Sequence, residues 1–314
     1  MKIAILDDYQ NVALSLADWN SLHADIEVFT RHIADRDELV RRLAGFDVVV
    51  AMRERTPFPD GVLAGLPDLR LLVTTGHRNA SIDVAAATRR GIVVCGTGYL
   101  PHPTAELTWA LILAALRHLP KEERAMREGG WQTTLGTSLH GSTLGLLGLG
   151  RLGSRVAGIG QAFGMRTIAW SHNLTQERAA EHGVTAVSKE RLFAESDVLS
   201  IHLVLGERTR GLVTAAELAA MKPTALLVNT SRGPIVDESA LVQALRQGTI
   251  GGAALDVYDT EPLPADHPLR SLPNTVLTPH IGYVTRDVYE VFYRDAVADI
   301  AAFAQGAPIR VVTA

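Results

Sequence analysis

The chain of 314 residues has a single cysteine, Cys95. That excludes an intrachain disulfide and a cysteine-based zinc cluster, suits a reducing cytoplasm, and leaves Cys95 as a packed thiol. Long apolar runs are missing too. The stretch "TWALILAAL" is too short to cross a bilayer, and Asp7 and Asp8 in the opening "MKIAILDDYQ" fall where a secretory signal needs its apolar centre. A cytoplasmic protein without membrane association is expected, with no metal site. Basic charge is not in excess: 30 Lys plus Arg face 34 Asp plus Glu, a net charge of -4, which argues against nucleic acid and for a small-molecule partner.

What is present is apolar material, 47% of the residues, enough for two buried cores in a chain whose length suggests about two domains. Short apolar runs recur with helical patterns between them. Four of them, "KIAIL", "DVVVAM", "LRLLVTT" and "GIVVCG", precede residue 143, and six more follow: "TLGLLGLG", "RTIAW", "VLSIHL", "ALLVNT", "AALDVY" and "TVLTP". Continuous Val, Ile and Leu runs mark parallel strands covered on both faces, so the expected class is α/β with two doubly wound parallel-sheet domains in series. One long helix, opened by Pro103 and Thr104 and closed before Gly129, is the expected bridge. A C-terminal amphipathic helix from Asp287 and an extended tail "PIRVV" are expected to return to the first domain.

Gly148, Gly150 and Gly153 form G-x-G-x-x-G directly after the strand-like "TLGLL", and the helical "RLGSRVAGIGQAF" follows. In this context the pattern is a dinucleotide-binding turn: Gly148 for the tight turn, Gly150 for backbone approach to a pyrophosphate, Gly153 for close packing of helix on strand. Arg151 and Leu152 then open a helix whose N-terminus offers N–H groups to phosphate. About 20 residues past such a loop, sites that prefer NAD carry an acid. Here Ser171 stands instead, followed by His172 and Asn173, with Arg178 nearby. No carboxylate repels a 2′-phosphate, which favours NADP or use of both cofactors.

Three strand ends carry polar residues that packing does not require: "LLVNTSRGPIVDESAL", "AALDVYDTEPLP" and "TVLTPHIGYVT". Arg232 can bind a carboxylate with a two-pronged hydrogen bond, His280 can exchange a proton near neutral pH, and Glu261 can hold that histidine. Singly, each is also compatible with a surface arginine, a turn residue or a satisfied loop histidine. Their conjunction with a cofactor loop points to a hydroxy-acid site.

These stretches, with "GLLGLGRLG" and "MKPTALLVNTSRG", resemble the D-isomer-specific 2-hydroxyacid dehydrogenase family, and the likeness runs over nearly the whole chain. The resemblance implies a Rossmann cofactor domain, residues 101–284, inserted into a flavodoxin-like substrate-binding domain built from 1–100 and 285–314. It implies that Arg232 binds the substrate carboxylate, that His280 protonates the carbonyl as hydride arrives, and that Glu261 holds His280 and favours its imidazolium form. Thr104, His202, Thr230, Asp256 and Gly282 are expected on the cofactor, Asp256 facing the nicotinamide carboxamide. Gly76, His77 and Arg78 in "TTGHRNASID" are expected to aim backbone N–H groups at the substrate carboxylate. Arg78 either adds positive charge there or points into solvent.

Arg53 in "AMRERTPF" matches an arginine that phosphoglycerate dehydrogenases use, which keeps phosphoglycerate dehydrogenase proper as an alternative to reduction of a small unphosphorylated 2-oxo acid. A dinucleotide-sensing binding protein is a second alternative. Formate oxidation is disfavoured because Glu261 stands where that branch has glutamine. A homodimer is implied by the resemblance, with Trp131 either an interface anchor or a core residue. "VCGTGYLPHPTAEL" is the expected hinge.

Overall fold

The computed structural model describes residues 1–313, which divide into two compact units: Met1–Leu100 with the chain from Val284 onward, and Pro101–Tyr283. Among the described residues the first unit contains β1 (Lys2–Ile5), β2 (Asp25–Val28), β3 (Val48–Ala51), β4 (Leu71–Thr74) and β5 (Val93–Gly96). They pair in parallel in the order β2-β1-β3-β4-β5. That is the flavodoxin-like order, which reverses between β1 and β3. Strand β3 is apolar throughout, and β1 and β4 are apolar but for the exposed Lys2 and the buried Thr74, because both faces are covered; Ala4, Leu6, Val49, Ala51 and Leu72 point with Phe29, Phe46 and Phe58 into one core.

Strand β2, "DIEV", was not among the four expected runs. It lies at the sheet edge with alternate residues exposed, and its two acids hide it from any search for apolar runs. The helix Arg286–Ala304 belongs to this unit, and the tail beyond it pairs with β5: Gly96 N–H donates to Arg310 O (3.0 Å) and Val312 N–H to Val94 O (2.8 Å).

The second unit contains β6 (Thr143–Leu147), β7 (Arg166–Trp170), β8 (Thr185–Ala186), β9 (Val198–Ile201), β10 (Leu226–Asn229), β11 (Gly252–Leu255) and β12 (Thr275–Leu277). All pair in parallel, in the order β12-β11-β10-β9-β6-β7-β8, the Rossmann pattern extended by one strand. Alternation within each run feeds two cores. Leu147, Leu199, Leu227 and Leu255 face one side, and Leu144, Val198, Val228 and Ala254 face the other. The two-residue β8 carries no periodic signal, which is why six runs rather than seven are legible.

The long bridging helix is two helices, His102–Leu116 and Leu119–Arg127. His118 between them adopts a left-handed conformation (φ +51°), and Pro120 in the next turn lacks the N–H that a continuous helix needs. Among the described residues no helix is long and apolar enough to cross a membrane, and no group of three His, Cys, Asp or Glu is arranged to hold a metal.

Candidate active site

The polar residues singled out in the second unit gather at the carboxyl ends of its strands, the edge on which open α/β sheets bind ligands. Gly148 follows β6, Ser171 follows β7, His202 follows β9, Thr230 and Arg232 follow β10, Asp256 follows β11 and His280 follows β12.

Each glycine of the loop has a distinct steric reason. Gly148 sits at φ +104°, and a Cβ there would come within 2.7 Å of His202 O. A Cβ on Gly153 would come within 2.3 Å of Gly148 O, so only glycine lets the helix close on the strand. Around Gly150 a Cβ would meet nothing within 4 Å. That open space adjoins the first turn of the helix Arg151–Ala162, which has no side-chain cap, so its leading N–H groups suit an anion. The loop therefore fits a pyrophosphate, since an uncapped helix N-terminus opens beside backbone that no side chain covers.

Behind it, His202 Nε2 lies 2.8 Å from Ser200 Oγ, and burial pushes this histidine down to about 4, keeping it neutral at physiological pH. At the end of β7, His172 packs edge-on against Trp170 and its Nε2 lies 3.4 Å from Arg208 O. That contact draws the loop carrying Arg208, which the sequence did not single out, to the position where an acid is missing.

Glu261 and His280 form a close pair, Oε2 to Nδ1 2.5 Å. The other oxygen, Oε1, accepts from Tyr258 N–H (3.0 Å), so the carboxylate is held at both ends. His280 is mostly buried and has a left-handed backbone (φ +53°), a strained choice for a residue other than glycine. Asp256 stabilises that turn: Oδ1 accepts from Thr278 Oγ1 (2.6 Å) and Ile281 N–H (2.8 Å), and Oδ2 from Gly282 N–H (2.9 Å). Burial pushes the Asp256 carboxyl up, and these donors oppose the shift. Thr104 Oγ1 donates to Gly282 O (2.9 Å), and Thr108 links this helix to Thr230, Oγ1 to Oγ1 2.8 Å.

Arg232 stands on a turn organised by Asn229. The Asn229 amide donates to Arg232 O (2.9 Å) while its carbonyl accepts from Ser231 N–H (3.0 Å), and Ser231 Oγ donates to Leu203 O. Arg232 Nη1 donates to Ser231 O (2.7 Å). Gly233 must be glycine, since a Cβ would fall 2.1 Å from Tyr258 C. Asn229, Tyr258 and Tyr283, whose ring packs edge-on to that of His280 (5.7 Å between centres), are positioning residues that sequence reasoning missed. Asn229 carried the one usable signal, an Asx-type residue opening a turn at a strand end.

In the first unit, Arg53 adopts φ +48°. Its Nη1 donates to Thr75 O (3.0 Å), its Nη2 lies 3.5 Å from Glu54 Oε1, and its guanidinium lies 5.6 Å from the centre of the Tyr99 ring. Gly76 N–H, expected to face a ligand, donates instead to Thr97 Oγ1 (2.7 Å), because the strand-end threonine lies within its reach. His77 and Arg78 are exposed. Trp131 is 74% exposed, which removes it from any core.

A family model described as the D-isomer specific 2-hydroxyacid dehydrogenase, NAD binding domain, matches residues 109–282, more than half of the chain. The chain belongs to this family. It is 48% identical over 255 residues to a glyoxylate reductase of Aeropyrum pernix, covering 78% of this chain and 76% of that one. To a D-3-phosphoglycerate dehydrogenase of Archaeoglobus fulgidus it is 35% identical over 313 residues, 99% of this chain but only 58% of the relative's length. The crystal structure of a phosphoglycerate oxidoreductase from Vibrio cholerae matches with a TM-score of 0.93 and 42% identity, over 98% of this chain and 100% of that one. As a member of the family, the chain is an oxidoreductase of 2-hydroxy acids that uses a nicotinamide cofactor.

Proposed function

We propose that the chain reduces small, unphosphorylated 2-oxo acids to D-2-hydroxy acids, reversibly, with Arg232, Glu261 and His280 as the catalytic set. The stereochemistry follows the family. The observation that carries the assignment is the Glu261–His280 pair: with Nδ1 committed to a carboxylate 2.5 Å away, the imidazole is oriented to deliver a proton from Nε2.

A nicotinamide dinucleotide bound along Gly148, Gly150, Arg151, Leu152 and Gly153 supplies the hydride. Arg232 holds the substrate carboxylate through paired N–H groups. His280 protonates the carbonyl oxygen as that carbon accepts the hydride, so the carbonyl becomes a secondary alcohol, and in reverse His280 takes the hydroxyl proton. Glu261 keeps the imidazole in register. Asp256, Thr104, Thr230, His202 and Gly282 shape the nicotinamide end. The backbone N–H groups of His77 and Arg78 are assigned to the substrate side.

Arg53 is assigned to the substrate side, but its charge is balanced by Glu54, which weighs against a phosphorylated substrate. NADP is favoured over NAD because Ser171, His172 and Asn173 present no carboxylate to the 2′-position, and Arg178 adds positive charge nearby. A homodimer is proposed on the family resemblance. It is supported by an exposed apolar group beyond the helix Leu119–Arg127, where Trp131 and Leu135 are 74% and 92% exposed. The single buried thiol suits a cytoplasmic setting.

The test is oxidation of NADPH and NADH, measured separately, against glyoxylate, hydroxypyruvate, pyruvate and 3-phosphohydroxypyruvate. Turnover of an unphosphorylated acid with the lower KM for NADPH is expected. A strong preference for NADH would remove the cofactor assignment, and exclusive use of 3-phosphohydroxypyruvate would replace the substrate assignment.

A further inference from the structure

The unit that carries Glu261 and His280 holds a second carboxylate–imidazole pair. Glu238 Oε1 lies 3.0 Å from His267 Nε2, and both side chains are largely buried. The tautomer of His267 follows from its other nitrogen. Nδ1 accepts from Leu269 N–H (3.3 Å), capping the turn Pro268–Ser271, so Nε2 carries the proton and donates to Glu238. Glu238 Oε2 in turn accepts from Asp259 N–H (3.3 Å).

These bonds are not ones that the helix Glu238–Gln247 needs. Asp237 already caps it, its side chain accepting from Ala240 N–H (3.0 Å). Both Glu238 oxygens are directed outside the helix, to partners 21 and 29 residues away in sequence. What they hold is the segment Tyr258–Asp259. The same segment lies against Gly233, where a Cβ would fall 2.1 Å from Tyr258 C and 2.6 Å from Asp259 N. Packed on Gly233 and bonded to Glu238, this backbone presents Tyr258 N–H to Glu261 Oε1 (3.0 Å). Beyond Glu261, Arg270 donates to Leu263 O (2.6 Å) and Pro264 O (2.8 Å), so the chain is tethered before and after the carboxylate.

Glu261 Oε1 is bonded to the Tyr258 N–H, so what fixes that backbone also fixes the carboxylate that orients His280. We infer that His267 and Glu238 are positioning residues for the catalytic pair: acting through Asp259 N–H, they set where Glu261 meets His280. This rests on the reductase function proposed above.

The two nitrogens of His267 allow the positioning role to be separated from the capping role. H267N keeps an acceptor for Leu269 N–H but is too short to reach Glu238, whereas H267Q returns a donor near the Nε2 position and loses the cap. Kinetics use whichever 2-oxo acid the wild-type enzyme reduces best. In H267N, Tm should stay near the wild-type value and the Kd for NADPH within about twofold, while kcat/KM falls about tenfold, part of the ~10²-fold that a misplacement of ~1 Å can cost. H267Q should show the reverse, a lower Tm with most of kcat/KM restored. Because the effect runs through Glu261, adding H267N to E261Q should change kcat/KM by no more than about twofold. Wild-type kcat/KM in H267N, activity that follows Tm across both His267 variants, or a full further loss in the double variant would overturn the positioning role while leaving the reductase function standing. Failure of the wild-type enzyme to reduce any 2-oxo acid would overturn both.

Discussion

Glu261 Oε2 and His280 Nδ1 lie 2.5 Å apart although the two residues are 19 positions apart in sequence and leave the ends of different strands. Neighbouring parallel strands bring them together, since β11 and β12 pair and deliver both chains to the same edge. E261Q preserves the size of the partner but removes its charge. kcat/KM should fall by about 10²-fold or more, the scale on which a positioned general acid acts, with little change in Tm. Steady-state kinetics beside a thermal melt checks this.

Asp256 accepts three hydrogen bonds with two oxygens. D256N replaces one oxygen with a donor facing a donor, so a cost of about 1–3 kcal/mol in stability is expected from the buried group left unpaired. kcat should fall with it, because the turn that holds His280 at φ +53° loses an anchor. Denaturant unfolding and kcat measured on one preparation test the linkage, and a destabilised protein with wild-type kcat would break it.

The glycines of the cofactor loop should separate by role. G150A introduces a methyl into open space and should leave Tm near the wild-type value while weakening dinucleotide binding by about tenfold or more, on the assignment of Gly150 to close backbone approach. G153A drives a methyl against Gly148 O and should lower Tm itself. Titration calorimetry together with melts distinguishes the two.

Asp299 is buried against Arg310, its Oδ1 accepting from Nε (3.0 Å), and burial raises its carboxyl from 3.8 to about 7. Folding therefore favours the protonated form. The associated stability is fully present below about pH 4 and is lost as pH rises through about 7. D299N, which cannot ionise, should flatten the stability profile across that window. Unfolding midpoints measured from pH 4 to 8 report it, and an unchanged slope would assign the pH dependence elsewhere.

Much of the cofactor unit was legible because its signals are steric and local. Gly148 and Gly153 stand where a Cβ does not fit, and Arg232, Glu261 and His280 stand out as polar residues at the ends of apolar strands. What could not be read depends on contacts remote in sequence. The edge strand β2 has too few apolar residues to register, and the break at His118 needs a left-handed residue that no composition signals. The loss of Gly76 N–H to Thr97 and the pairing of Asp7 with His32 arise only once β1, β2, β4 and β5 lie side by side.

The most direct test of the catalytic assignment is single-turnover reduction of hydroxypyruvate by pre-bound NADPH in the wild-type enzyme and in H280A, with NADPH affinity measured for both. The hydride-transfer rate is expected to fall by about 10²–10⁴-fold in H280A, the range attributable to general acid catalysis, while the Kd for NADPH stays within about twofold. A wild-type rate in H280A would contradict the assignment of His280 as the proton donor.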